Sequence, residues 1–161
     1  MPTLSKEEMN WISLLLEKTG AMAKDCVLFE DEKIIFLMNK GDTGRVIGKK
    51  GSNIKQLSKE FSKEVQVVEY ADTVDKMAIN SIVPVQAKNI HMKREKNGKN
   101  SIIINVSPQD KFRAIGKNGI ILKRSRLLLK RHFDIDNVYI NVERQQNQSS
   151  SNNEAKSVSQ N

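Results

Sequence analysis

Two glycine pairs carry the residues best suited to chemistry in this chain. Gly48-Lys49-Lys50-Gly51 returns as Gly116-Lys117-Asn118-Gly119, 68 positions on. Each copy follows an isoleucine, Ile47 or Ile115, and each leads into a basic segment with helical spacing. Glycine lets a backbone turn approach a phosphate without a side chain in the way. The helix that follows adds free N–H groups and a positive dipole end. Lys49, Lys50 and Lys117 bring charge, and Asn118 brings a neutral donor. The chemistry on offer is anion recognition. Bond-making chemistry has little support: His91 and His132 lie in opposite halves, and neither has a Cys or carboxylate at metal-ligand spacing. No catalytic residue, metal or cofactor is expected.

Charge placement sharpens this. The chain has 161 residues, 38% of them hydrophobic, a formal net charge of +8 and a pI near 9.6. An anionic partner fits that balance. Arg45, Lys49, Lys50, Lys55 and Lys59 lie in a stretch without a single acid. Lys111, Arg113, Lys117, Lys123, Arg124, Arg126, Lys130 and Arg131 form a second such stretch. Each block contains one glycine turn. Solvated helices usually interleave charge signs, so the segregation points to a phosphate-facing surface. Arg45, Lys55, Arg113, Lys123 and Arg124 are placed to follow a phosphate backbone along the flanking helices.

The elements that must position these turns recur as well. Ser5-Lys6-Glu7-Glu8 reads as a capping box opening a helix to about Lys18, with Met9, Ile12, Leu15 and Leu16 as its buried stripe. Asp25–Glu30 and Lys33–Asn39 read as a strand hairpin. A short helix over Thr43–Ile47 meets the first turn, with Asp42 as its N-cap. Ser52–Phe61 is helical and Glu64–Tyr70 a strand. The second half repeats the order. Asp72 or Thr73 caps a helix with Val74, Met77, Ala78 and Ile82 inward, and Pro84 ends it. Lys88–Glu95 and Ser101–Val106 are strands around Asn97-Gly98. Pro108 opens a short helix toward Ile115. Ile120–Phe133 is a long helix and Ile135–Val142 a strand. Both halves therefore read α-β-β-α-α-β, an internal repeat of α+β class.

An Ile-Gly-x-x-Gly turn between two helices, flanked by strands, resembles a KH domain of type II. The resemblance rests on Val46-Ile47-Gly48-Lys49-Lys50-Gly51-Ser52-Asn53-Ile54 and Ala114-Ile115-Gly116-Lys117-Asn118-Gly119. Two such domains in tandem resemble the short archaeal form of the NusA transcription factors, as do Asp110-Lys111 and the run from Leu128 to Val138. The resemblance implies a first KH domain over 1–71, a second over 72–143, and a polar tail over 144–161 that is expected to be disordered. It implies single-stranded RNA as partner, with about four nucleotides in each groove, and RNA polymerase as a further partner. Ile47, Ile54, Ile115 and Leu122 would line or support the groove floor, and strand groups within Val65–Val68 and Asn137–Ile140 would read bases. The expected function is a transcription termination or antitermination factor. Polymerase-binding and OB-fold parts of bacterial NusA have no room here. Ile120-Ile121 stand where the first copy has Ser52-Asn53, and could meet a base, a protein or the neighbouring domain.

Other readings stay open on the sequence alone. A ribosomal or ribosome-assembly RNA-binding protein is the alternative, and an accessory to an RNA-processing enzyme is a third. The cationic Ile120–Phe133 helix would also suit a membrane surface, although the core needs its apolar stripe. Aromatic content is only 5%, which excludes an aromatic stacking platform, with Tyr70 and Tyr139 as exceptions. The single Cys26 has no internal disulfide partner and reads as a buried apolar residue. No signal peptide is recognised. A reducing, cytoplasmic setting is expected.

Overall fold

The structure is a computed structural model that describes residues 3–143. The expected disordered tail, 144–161, lies outside them. The first half runs α1 (Lys6–Thr19), β1 (Ala23–Phe29), β2 (Lys33–Met38), α2 (Thr43–Ile47), α3 (Ser52–Phe61) and β3 (Glu64–Glu69). The second runs α4 (Val74–Ser81), β4 (Asn89–Arg94), β5 (Asn100–Val106), α5 (Lys111–Ile115), α6 (Ile120–Phe133) and β6 (Asn137–Val142). Each half has a three-stranded sheet, in the orders β1-β2-β3 and β4-β5-β6. The outer pairs β1–β2 and β4–β5 are antiparallel hairpins. β3 and β6 return parallel to the central strands. The expected α+β class and element order are the observed ones.

Local sequence explains the helix ends. Ser5 Oγ accepts from the Glu8 N–H at 3.1 Å, and the Glu8 carboxylate accepts from the Ser5 N–H at 2.8 Å. That closes the capping box. Thr73, not Asp72, caps α4 by accepting from the Lys76 N–H. Asp42 precedes α2 without a side-chain cap bond. The buried stripe of α1 is Trp11, Ile12 and Leu15, whereas Met9 and Leu16 are exposed. The expected Met9–Leu16 stripe is thus rotated. Trp11, the bulkiest apolar group of the helix, meets the edge of Phe61 at 6.5 Å and sets the buried face.

The first sheet is covered on both faces. Ile34, Phe36 and Met38 pack with Cys26, Leu57, Trp11 and Leu15 on the side of α1 and α3. Phe29, Ile35, Leu37 and Val68 face the other way, into a core shared with Met77 and Ala78 of α4, Ile82 just past it, and Leu128 and Leu129 of α6. A strand buried on both faces reads as a continuous apolar run, and Ile34-Ile35-Phe36-Leu37-Met38 does. β5 instead alternates, with Ile102, Ile104 and Val106 buried. Its outer positions, with their β4 and β6 partners, include His91, Lys93, Asn105, Tyr139 and Asn141. The first sheet receives the second half, while the second sheet presents a polar face.

Polar groups lock α4 against α6 within the second half and tie α6 to the first half. The Arg124 guanidinium, 6% exposed, donates to the Ser81 and Val83 carbonyls at 2.9 and 2.8 Å and to Gln66 Oε1 at 3.1 Å. The hydroxyls of Ser81 and Ser125 meet at 2.6 Å. Asp25, a buried carboxylate of β1, is paired with Arg131 and bonded to His132 Nε2 at 2.8 Å. Tyr70 stacks on Phe133 and meets His132 edge-on, with Lys24 over its ring at 4.0 Å.

Burial alone would raise the Asp25 pKa, but hydrogen bonds from His132 and Arg131 hold it at about 2. A folded pKa depressed below the unfolded value gives stability that is present above about pH 4 and lost as pH falls toward 2. Asp25→Asn is expected to cost about 2 kcal/mol at pH 7 and to remove this acid dependence, as read by urea unfolding at pH 7 and pH 3. Burial also pushes the Cys26 thiol well above its usual range. No helix of the described residues is long and apolar enough to cross a membrane.

Candidate nucleic-acid interface

Both glycine turns adopt the same strained backbone. Gly48 (φ 75°, ψ 175°) ends α2, and Gly116 (φ 82°, ψ 165°) ends α5. Lys50 (φ 56°, ψ 30°) and Asn118 (φ 58°, ψ 25°) are left-handed, followed by left-handed Gly51 and Gly119 at φ 74°. Each turn then opens a helix, α3 or α6, whose first N–H groups have no side-chain cap. The N–H groups of Gly51, Ser52, Gly119 and Ile120 bond back to the Gly48, Lys49, Gly116 and Lys117 carbonyls, so each turn offers an anion its open glycine, its exposed cations and the positive end of the following helix.

The two glycines of each pair do different work. A Cβ on Gly48 would lie 2.7 Å from the Asn53 side chain, and one on Gly116 would lie 2.6 Å from Ile121. These first glycines are required by the chain's own packing. Gly51 and Gly119 have nothing within 4 Å of a Cβ. They are required by positive φ, and they face open space where a ligand backbone can approach. Asn53 Nδ2 also donates to the Arg45 carbonyl at 2.8 Å, tying the first turn together. Ile121 replaces Asn53 in the second turn. Ile120 and Ile121 are partly buried against the core shared with α4, so packing, not docking, accounts for much of their surface.

Lys50 and Asn118 occupy the same left-handed position at unequal cost. Asn tolerates that region, and Lys does not. Keeping Lys at position 50 costs stability and keeps a charge. Lys50→Asn is expected to raise stability by roughly 0.5 kcal/mol in chemical denaturation and to weaken RNA binding severalfold in a filter or anisotropy assay.

The structure sorts the expected cations. Arg45, Lys49, Lys50 and Lys55 are exposed around the first turn, and no ion pair engages them among the described residues. Lys55 continues into an open groove of about 840 Å³ between α3 and the start of β3, lined by Lys59 and Lys63 but also by Asp31, Glu32 and Glu64. Lys63 was not signalled by the acid-free block, since it follows Glu60. At the second turn, Lys117, Asn118 and Arg113 are exposed, with Arg113 bonded to Asp110 at 3.1 Å. Lys123 is exposed and lies 3.9 Å from Glu30 of the first half. Arg124 is a correction. Its guanidinium is consumed by the Ser81 and Val83 carbonyls of its own half and by Gln66 of the first, so it is removed from the set that faces a ligand. Three more cations of the second block are engaged internally: Arg126 donates to the Val138 carbonyl, Lys130 pairs with Asp134 and Asp136, and Arg131 with Asp25. Ile47 is 38% exposed beside the first turn, and Ile115 is partly buried beside the second.

The expected aromatic exceptions fall away from the turns. Tyr70 is packed in the seam. Tyr139 projects from β6 between buried Val138 and Ile140 and donates to Glu95 at 3.0 Å. The sequence reading missed Phe112 of α5, which is 83% exposed. Among the described residues, no group of three or more His, Cys, Asp and Glu is placed to hold a metal.

This arrangement has known counterparts. The KH domain family model matches residues 12–94, from within α1 to the end of β4, which includes the first turn. The chain is 34% identical over 143 residues to the probable transcription termination protein NusA of Methanocaldococcus jannaschii, covering 88% of this chain and 76% of that protein. It is 32% identical over 136 residues to the protein of the same description from Halococcus morrhuae, covering 84% and 96%. Among solved structures, the crystal structure of APE1850 matches with a TM-score of 0.77 and 36% identity, over 86% of this chain and all of that one.

Proposed function

The chain belongs to the KH-domain family, among the NusA-type proteins of archaea, and on that premise we propose that it is an RNA-binding transcription termination or elongation factor that grips single-stranded RNA through two glycine turns. Each half is then a type II KH domain, with 1–71 as the first and 72–143 as the second. The observation that carries the reading is the matched pair of turns. In both, a left-handed residue and an open glycine precede an uncapped helix start. Arg45, Lys49, Lys50 and Lys55 supply charge to the first, and Arg113, Lys117 and Lys123 to the second. The N–H groups of Gly51, Ser52, Gly119 and Ile120 bond to carbonyls within the turns and hold their shape, and the positive end of the helix that follows adds to the charge. Affinity comes mainly from phosphates, and so falls steeply with salt. The protein acts by binding, without catalysis, in the cytoplasm.

RNA polymerase is the second partner in this reading, since a termination factor must act on the elongation complex. The test is transcription in vitro with the purified archaeal polymerase of the same source. Added protein should change the fraction of transcripts ending at a terminator, and a turn variant should not. Fractionation gives a second check. Co-migration with ribosomal subunits and not with polymerase would favour a ribosomal role and count against this one.

A further inference from the structure

Beside the second turn stands an exposed side chain with no counterpart at the first. Phe112 is 83% exposed, the most of any large apolar residue described, ahead of Met22 at 57%. Its own carbonyl accepts from the Gly116 N–H at 2.9 Å, so the ring springs from the helical turn directly beneath the second glycine pair. Gly44 holds the matching position in the first half, with its carbonyl accepting from the Gly48 N–H at 2.9 Å. The first turn carries Lys49 and Lys50, the second Lys117 and Asn118. Where the second copy lacks one cation, it carries an added phenyl ring.

A phenyl ring left in water gains nothing for the fold. Its surroundings identify what would cover it. Lys111 and Arg113 flank it, with Arg113 bonded to Asp110 at 3.1 Å, and Lys117 stands in the adjoining turn, so cations outnumber the one acid. A cationic rim disfavours the apolar pocket of a neutral or basic protein and favours a polyanion. A polyanion with flat apolar faces is single-stranded nucleic acid. We propose that Phe112 stacks on a base of the RNA held at the second turn, so that the second half holds a base face where the first grips phosphate alone. This deepens the RNA-binding reading and rests on it.

Stacking and phosphate contact respond differently to salt, which makes the idea testable. The probe is a single-stranded RNA of about twelve nucleotides, long enough for two grooves of about four nucleotides each. Affinities of the wild type, Phe112→Ala, Phe112→Tyr and Lys117→Ala would be measured across salt concentrations. Phe112→Ala should weaken binding about tenfold at every salt concentration, leaving the log–log slope unchanged. Phe112→Tyr should bind as the wild type does. Lys117→Ala should reduce the slope by about 1. Because the ring is exposed, circular dichroism should stay native in both Phe112 variants. Wild-type affinity in Phe112→Ala would overturn the proposal, and so would loss of polymerase association with RNA affinity intact, which would make the ring a protein contact. A wild type with no salt-dependent RNA affinity would instead sink the RNA reading itself.

Discussion

Replacing Arg124 with alanine is expected to destabilise the protein by about 3 kcal/mol while leaving the salt dependence of RNA binding unchanged. The guanidinium is 6% exposed and satisfies the carbonyls of Ser81 and Val83 together with Gln66 Oε1. Truncation takes this partner from the carbonyls of Ser81, the last residue of α4, and Val83, beside the α4–α6 contact of the second half. Arg124→Lys should recover little, because an ammonium cannot reproduce a planar fork across three acceptors. Urea unfolding gives the stability, and RNA titration of the folded variant gives the slope. A loss under about 1 kcal/mol, together with a flatter slope, would return Arg124 to the RNA-facing surface.

The second large effect is on binding. Charge reversal at both turns, Lys49→Asp with Lys50→Asp and Lys117→Asp with Asn118→Asp, is expected to weaken single-stranded RNA binding by about two orders of magnitude at moderate salt. All four positions are exposed, and Lys50 and Asn118 already sit in a region that Asp tolerates. The fold should therefore persist by circular dichroism. The first pair should cost more than the second, because it removes two cations where the second removes one. Equal losses would mean that charge at the turns is not what sets the affinity. The first glycines make poor probes of the same idea. Gly48→Ala places a Cβ 2.7 Å from Asn53 and damages the turn before any RNA arrives.

Much of the architecture was legible because its signals are local. A capping box, a Gly after α1, Asn97-Gly98 in the second hairpin and Pro108 before α5 each fix an element end through nearby atoms. The repeat of glycine turns then fixed the order of elements twice. The charge reading was less secure, because absence of acids in a block does not imply absence of acids in space. Asp25 reaches Arg131 across the seam, and Asp134 and Asp136 turn back to Lys130. Burial of Arg124 left no trace in the sequence, since its main partners are backbone carbonyls. The α1 stripe was misplaced because periodicity alone does not rank Trp11 above Met9. A signal for Phe112 did exist: aligning the repeats sets it opposite Gly44, an aromatic among cations where the other copy has no side chain.

In the proposed function both turns touch RNA at the same time. Amide resonances give the most direct test. Titrating isotope-labelled protein with a twelve-nucleotide single-stranded RNA (~12 spans two grooves) should shift the Lys49–Ser52 and Lys117–Ile120 amides together, saturating at one affinity. Shifts confined to one turn, or to the polar outer face of the second sheet around His91 and Tyr139, would contradict it.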